Sequence, residues 1–211
     1  MLDVQHRMAK PIAEFISQEF YDGKLHTSNE VADNKLEFDF SESSLFEILN
    51  PDKQLTLVNI HTSPTENRKN TSPNEVKIII DILSEMINNG VDINDIGIIA
   101  PYRAQVASIR RGIEQSAVFN SFESKLEIKK LVDTVDRFQG DERDVMMFSL
   151  SLTSQEIGSI LEDVRRINVA ISRAKKKFIG VGNWTLVDKH ATLKNLREFA
   201  NNNIGAQVVE F

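Results

Sequence analysis

Apolar and polar positions alternate along this chain in two periods, one near 3.6 residues and one that reads as short continuous apolar runs. Between residues 9 and 20, Ile12, Phe15, Ile16 and Phe20 recur at helical spacing, which predicts an amphipathic helix. Residues 55 to 60 form a strand candidate. Ser72-Pro73-Asn74-Glu75 then gives the capping-box pattern with Pro at the first helical position, and Val76, Ile79, Leu83 and Ile87 supply a stripe that Asn89-Gly90 closes. A buried strand over 96 to 100 precedes a helix over 103 to 114, with Val106, Ile109 and Ile113 facing inward. Further strands are predicted over 128 to 134, 145 to 150 and 178 to 182, and helices over about 161 to 174 and 192 to 202. This alternation predicts a single α/β domain over residues 1 to 211, built on a mostly parallel sheet with helices on both faces.

One segment breaks the pattern. Residues 24 to 54 carry seven acidic and three basic residues with no long apolar period, and read as a surface excursion with a short helix near 45 to 49. The polar run that follows residue 60, up to Asn70, reads as a loop.

Composition narrows the class. The chain has 41% hydrophobic residues, no Cys and a net charge of −6. A disulfide scaffold and a thiolate metal site are thereby excluded. No apolar run approaches 18 residues and no signal peptide is present, so no membrane partner is expected and the chain reads as cytoplasmic, or nuclear in a eukaryote. The acidic balance argues against nucleic-acid binding by bulk electrostatics and leaves room only for a local track. His26, His61 and His190 are scattered without ligand spacing, so no metal site is expected within the chain.

The densest chemistry lies in VDTVDRFQGDERDVMMFSLSLT, residues 132 to 153. It reads as strand, charged turn, strand. Ligand sites in open α/β sheets form in loops at the carboxyl ends of strands, and Gly140 would let a phosphate or ribose approach the backbone. A solvated turn held by its own charge pairs is the competing reading.

This segment resembles motif V of superfamily 1 helicases, in the branch of the nonsense-mediated-decay helicase, senataxin and immunoglobulin-mu-binding protein. Three collinear segments resemble other blocks of that family: LDVQHRMAKPIAEFISQEFYDGKL (2 to 25), DIGIIAPYRAQVASIRRGI (95 to 113), and DVRRINVAISRAKKKFIGVGN (163 to 183), the last being motif VI. No G-x-x-x-x-G-K-[ST] loop occurs, since Gly23-Lys24 lacks the earlier Gly and the hydroxyl residue. The acidic Mg2+-binding box is missing as well. The resemblance therefore implies a RecA-like, P-loop-type fold equivalent to the second motor domain alone. It would use ATP and Mg2+ only together with an N-terminal RecA-like domain, act on single-stranded DNA or RNA, and be inactive by itself. Met1 directly before the first block suggests a truncated piece of a longer protein, or a separately encoded fragment, the former being preferred because the block begins almost at residue 1.

The same resemblance assigns roles. Arg173 takes the arginine-finger position, Arg7 that of a second γ-phosphate sensor, and Arg166 that of the paired motif VI arginine. Arg166, Ala170 and Arg173 fall at i, i+4, i+7 on one helical face, beside an apolar face of Ile167, Ile171 and Ala174. Gln5, His6, Gly140 and Glu142 complete the nucleotide set, with Glu142 an acceptor for ribose hydroxyls. His6 stands where the family has Tyr, and Ala9-Lys10 where it has His-Pro. Pro101, Tyr102, Arg103, Thr134 and Gln139 form the implied nucleic-acid set. A non-catalytic RecA-like module that binds nucleic acid or protein is the alternative reading.

Overall fold

Six apolar runs pair into one sheet: β3 (Leu55–Asn59), β4 (Ile96–Ala100), β5 (Val132–Thr134), β6 (Arg143–Ser149), β7 (Ala174–Gly182) and β8 (Ala206–Glu210), in the order β5-β4-β6-β7-β3-β8. Every pairing is parallel, with Leu57 opposite Gly180 and Ile98 opposite both Met147 and Val132. A computed structural model describes residues 3–61, 70–122, 124–138, 140–152 and 159–211, with side chains from 161 onward in the last stretch. All five residues of β3 and of β4 are buried, as expected for parallel strands covered on both faces.

The two faces carry separate cores. On one, α1 (Lys10–Phe20), α8 (Val164–Ser172) and α9 (Ala191–Asn202) press Ile12, Ile16, Ile171 and Leu196 onto Leu57, Met146 and Phe178. On the other, α4 (Pro73–Asn88), α5 (Arg103–Gln115) and α6 (Lys125–Leu131) press Ile79, Leu83, Ile109 and Ile128 onto Val58, Ile98 and Met147. This is an α/β architecture consistent with a RecA-like fold.

Some elements differ from the expectation. Residues 128 to 131 end a helix, α6, because Ile128 and Leu131 bury at i, i+3; only Val132 to Thr134 are strand. The single helix expected over 161 to 174 is α8 preceded by a short turn, α7 (Ser159–Glu162), and Ala174 already belongs to β7. In α4 the buried stripe is Ile78, Ile79, Ile82, Leu83 and Met86, with Val76 and Ile87 half-buried at its edges. Edge strand β8 had no forecast, nor had the small parallel pair β1 (Val4–Gln5) and β2 (His26–Thr27). Residues 24 to 54 include two short helices, α2 (Asn29–Ala32) and α3 (Phe46–Leu49), and bury Leu36, Phe40, Ile48 and Leu49. Lys177 ties this segment down: its buried ammonium donates to the carbonyls of Asn50 (3.0 Å) and Lys53 (2.7 Å).

One crossing sets which edge of the sheet each motif reaches. β5 ends at Thr134, level with Ala100 at the carboxyl edge of the sheet, whereas β6 starts at Arg143 at the amino edge. The chain between them therefore runs back over one sheet face, with Val135 and Phe138 buried in the core there. Helix α8, between parallel neighbours β6 and β7, crosses the same face in the same direction.

Candidate functional site

The sequence motifs come together at two places, on opposite edges of the sheet. The first is at the amino ends of β6 and β7. Arg173 is the C-cap of α8, directly before β7, and its carbonyl accepts the Arg143 amide at 3.0 Å. Glu142 immediately precedes β6. Arg7 reaches both: its Nε donates to Glu142 Oε2 at 2.5 Å, and its Nη1 donates to the Ser172 carbonyl at 3.5 Å. The charged half of the 132–153 segment thus lies at amino strand ends, not at the carboxyl ends expected from general α/β rules. The return crossing after β5 is the reason.

Gln5 shapes this corner. Its side-chain oxygen accepts the Arg7 and Met8 amides, both at 2.8 Å, while its nitrogen donates to the Met8 carbonyl and to Thr27. The amide is fully used in folding the turn that projects Arg7 outward. His6 is exposed and pairs with Glu30 at 3.5 Å. Gly140 has φ +102°, a conformation costly for any residue with a Cβ, so the turn needs glycine there. Among the described residues no ion pair joins the Glu142 carboxylate to Arg143, whose guanidinium goes to Asp141 at 3.4 Å.

The electrostatics of the corner are unbalanced. Burial pulls the Arg173 guanidinium below its usual range, the nearby Arg7 charge lowers it further, and Glu142 and Asp141 act in the opposite sense. The Nε of Arg173 is buried and finds no hydrogen-bond partner among the described residues. A buried unpaired donor costs about 1–3 kcal/mol. Arg7 and Arg173 stand together beside Glu142 and Asp141, one of the guanidiniums with an unmet donor, and make a receptor for an anion with several oxygens.

The second place is the carboxyl edge. Pro101, Tyr102 and Arg103 follow β4 and open α5, and Thr134 ends β5 beside them. They line a cleft of about 440 Å3 together with Arg137 and Arg166. Arg166 is thus separated from the corner it was expected to join. It sits near the start of α8 and pairs with Asp136 (Nε–Oδ1 3.1 Å, Nη2–Oδ2 3.5 Å). Arg173 caps α8 with helical backbone angles (φ −80°, ψ −17°), two turns beyond Arg166, and Ala170 between them is buried against the sheet. Seven residues of helix span about 10 Å. Gln139 lies outside the described residues.

Behind this edge is a buried polar knot absent from the expectation. Glu75 accepts the Ser149 hydroxyl at 2.6 Å and the Ser151 amide at 2.9 Å. Gln105 donates to Ser149 Oγ at 2.9 Å and accepts the Ser72 amide at 2.9 Å. Ser72 Oγ does cap the Glu75 amide at 3.4 Å, but the Glu75 carboxylate turns inward instead of closing the reciprocal box. Burial pushes its pKa up to about 7, against the hydrogen bonds from Ser149, Ser151, Ser72 and Leu150. The missed signal was Ser149 and Ser151 alternating with Leu in an otherwise apolar strand end.

Another cleft, about 470 Å3 between α1 and α9, holds none of the residues that the motifs single out. Among the described residues no group of three or more His, Cys, Asp or Glu could hold a metal ion, and no helix is long and apolar enough to cross a membrane.

Comparison with known proteins adds a family. A family model described as an AAA domain matches residues 1–185. The chain is 34% identical over 194 residues to the DNA replication ATP-dependent helicase/nuclease JHS1 of Arabidopsis thaliana, covering 86% of this chain and 14% of that protein. It is 32% identical over 193 residues to helicase sen1 of Schizosaccharomyces pombe (87% of this chain, 10% of that protein). It is 31% identical over 206 residues to the DNA-binding protein SMUBP-2 of Rattus norvegicus (94% and 20%). The chain therefore spans between 10% and 20% of the length of these relatives.

Proposed function

The chain belongs to the superfamily 1 helicases, in the branch that holds senataxin and the nonsense-mediated-decay helicase, and from that premise we propose that it is the second RecA-like motor domain of an ATP-dependent DNA or RNA translocase. The observation that carries this reading is the corner of Arg7, Glu142 and Arg173, with its unmet Arg173 donor. A nucleoside triphosphate fits it. Arg173 faces the γ-phosphoryl group, Arg7 leaves Glu142 for a phosphate oxygen, and the freed carboxylate accepts ribose hydroxyls. His6 stacks on the nucleoside, Gln5 orders its turn, and Gly140 permits close approach. The guanidiniums act where negative charge develops during phosphoryl transfer.

Mg2+ does not fit this corner: its carboxylates, Glu142 and Asp141, are engaged by Arg7 and Arg143, and no group of three or more metal-ligating side chains occurs among the described residues. In this reading its ligands and the phosphate-cradling loop belong to an N-terminal RecA-like domain, and single-stranded DNA or RNA lies on Pro101, Tyr102, Arg103, Thr134 and Gln139. The chain alone hydrolyses ATP no faster than buffer.

The deciding experiment is Arg173→Ala in a two-domain motor containing this chain, with kcat and nucleotide Kd measured separately. Turnover is expected to fall by about 10³ to 10⁵ while nucleotide affinity stays nearly unchanged, because the finger acts on the transition state. Arg173→Lys should fail too, since an ammonium lacks the planar fork. Turnover within about threefold of wild type, ~0.7 kcal/mol in barrier, sinks the assignment.

A further inference from the structure

Arg166 and Asp136 do not merely border the carboxyl-edge cleft. The pair also lines a second cleft of about 290 Å3, shared with Asp163, Arg165 and Val169. It thus stands, with Val135, in the common wall of two adjoining concave surfaces. Both side chains are reachable from solvent, Asp136 at 67% and Arg166 at 34% relative exposure. The guanidinium presents two N–H groups to the two carboxylate oxygens in a fork, the geometry that an arginine equally offers to a phosphate. Arg103 and Arg137 line one side of this wall and Arg165 the other. The two clefts are lined by four arginines against Asp136 and Asp163, a local exception on a chain of net charge −6.

Structure alone does not require Arg166 there. The core of α8 is made by Ile167, Ala170 and Ile171, and the helix is already capped by Asp163, which accepts the Arg165 amide at 3.1 Å. An exposed ion pair adds little to stability, typically about 0–1 kcal/mol. What the pair does accomplish is to keep a strong phosphate ligand satisfied by an internal carboxylate.

We infer that Arg166 is a phosphodiester-binding residue and that Asp136 is its resident competitor: a single strand passing from one cleft to the next takes the guanidinium from Asp136. This rests on the reading of the carboxyl edge as the nucleic-acid surface. It adds that the surface continues past Thr134 over the start of α8, and that binding there is opposed by a built-in anion. The strand must therefore supply a phosphate at the position of the Asp136 carboxylate, so a bare base or a nucleoside does not open the pair.

The test is a double-mutant cycle on the whole chain. Fluorescence anisotropy with 5′-fluorescein-labelled 15-mers of deoxythymidine and of uridine gives Kd for wild type, Asp136→Asn, Arg166→Gln and the double variant at low salt. Asp136→Asn is isosteric and Arg166→Gln keeps a long polar side chain, and thermal melts check that all four fold alike. Asp136→Asn should tighten binding at least threefold in the wild-type background and less than 1.5-fold beside Arg166→Gln. Such non-additivity is the signature of a direct pair. An equal gain in both backgrounds means that Asp136 acts only as bulk negative charge, and overturns the inference. So does unchanged affinity in Arg166→Gln when Tyr102→Ala still weakens binding, an outcome that spares the wider reading of the cleft. Failure of all proteins to bind either oligonucleotide sinks both. A difference between the two labelled strands identifies which backbone, DNA or RNA, the wall accepts.

Discussion

The two edges of the sheet each hold an arginine–carboxylate pair, and the pairs differ in what surrounds them. At the amino edge, Arg7 and Glu142 meet across 135 positions, and a second arginine, Arg173, stands beside them with a buried donor unmet. At the carboxyl edge, Arg166 and Asp136 satisfy each other two-to-two, with Arg137 near Asp133 (3.8 Å) and Arg165 held by Asp163 (2.9 Å). The first corner has more positive charge than its carboxylates balance. The second is closed upon itself. Excess guanidinium favours a ligand with concentrated charge, whereas a balanced row of pairs favours a long polyanion that replaces several carboxylates in turn. The segment 135–138 and helix α8 pack together on one sheet face between the two edges.

After the Arg173 variants, the largest expected effect would separate the edges outright. In a two-domain motor containing this chain, Arg7→Ala should lower turnover by about 10²–10³, the loss typical of one removed electrostatic donor. Its nucleotide-free Kd for single-stranded oligonucleotide should not change. Arg103→Ala should do the reverse in the Kd measurement. Equal weakening of oligonucleotide binding by both variants would mean that the two edges form one site and would break the comparison.

A smaller effect concerns the knot behind the carboxyl edge, which has no counterpart at the other. Glu75 has a folded pKa near 7, above its ordinary 4.5, so the folded state binds more protons than the unfolded one between those values. Stability from this group is therefore full below about pH 4.5, falls as pH rises to about 7, and is flat beyond. Glu75→Gln removes that slope. At pH 5 the variant should be less stable by about 1–3 kcal/mol, since its amide nitrogen replaces the Oε1 that accepts the Ser151 amide at 3.0 Å and sets donor against donor. The gap should narrow by pH 8. Urea melts of both proteins across that range measure it, and a gap independent of pH would show that Glu75 does not titrate within the fold.

How much of this was legible depended on whether a regular period carried it. Ser72-Pro73 marks the start of α4 because both residues act locally, and the strands over 55 to 59 and 96 to 100 announce themselves as unbroken apolar runs. β8 did not, since Ala206–Glu210 alternates weakly and becomes a strand only by pairing with β3. Leu36 and Phe40 bury from a segment without regular structure, where periodicity has nothing to report. The residues of the amino corner could be named through resemblance, but their edge could not, because the return crossing is set by tertiary packing of Val135 and Phe138. These two apolar residues, three apart in a charged loop, were its only trace. The pairing of Arg166 with Asp136 was not legible for a related reason: helical spacing gives the face that Arg166 shares with Arg173, but not the length of helix that sets it two turns away beside the 135–137 segment.

The smallest effect tests the carboxyl edge as a track of separate phosphate contacts. Each phosphate neutralised on a single strand contributes about 0.7 to the slope of log K against log salt, so one contact changes affinity about fivefold per tenfold change in salt. Arg103 is exposed at the start of α5 and lines the cleft with Tyr102 and Thr134. Arg103→Ala should therefore weaken oligonucleotide binding several-fold at low salt, and reduce the slope by close to one contact. Tyr102→Ala should weaken binding with the slope intact, because stacking on a base releases no counterion. Anisotropy titrations at four salt concentrations distinguish the two. If both variants change the slope alike, Tyr102 serves to position Arg103 and the cleft contacts only phosphates. If neither does, the strand does not touch this edge, and the arginines along it belong to the surface of the fold.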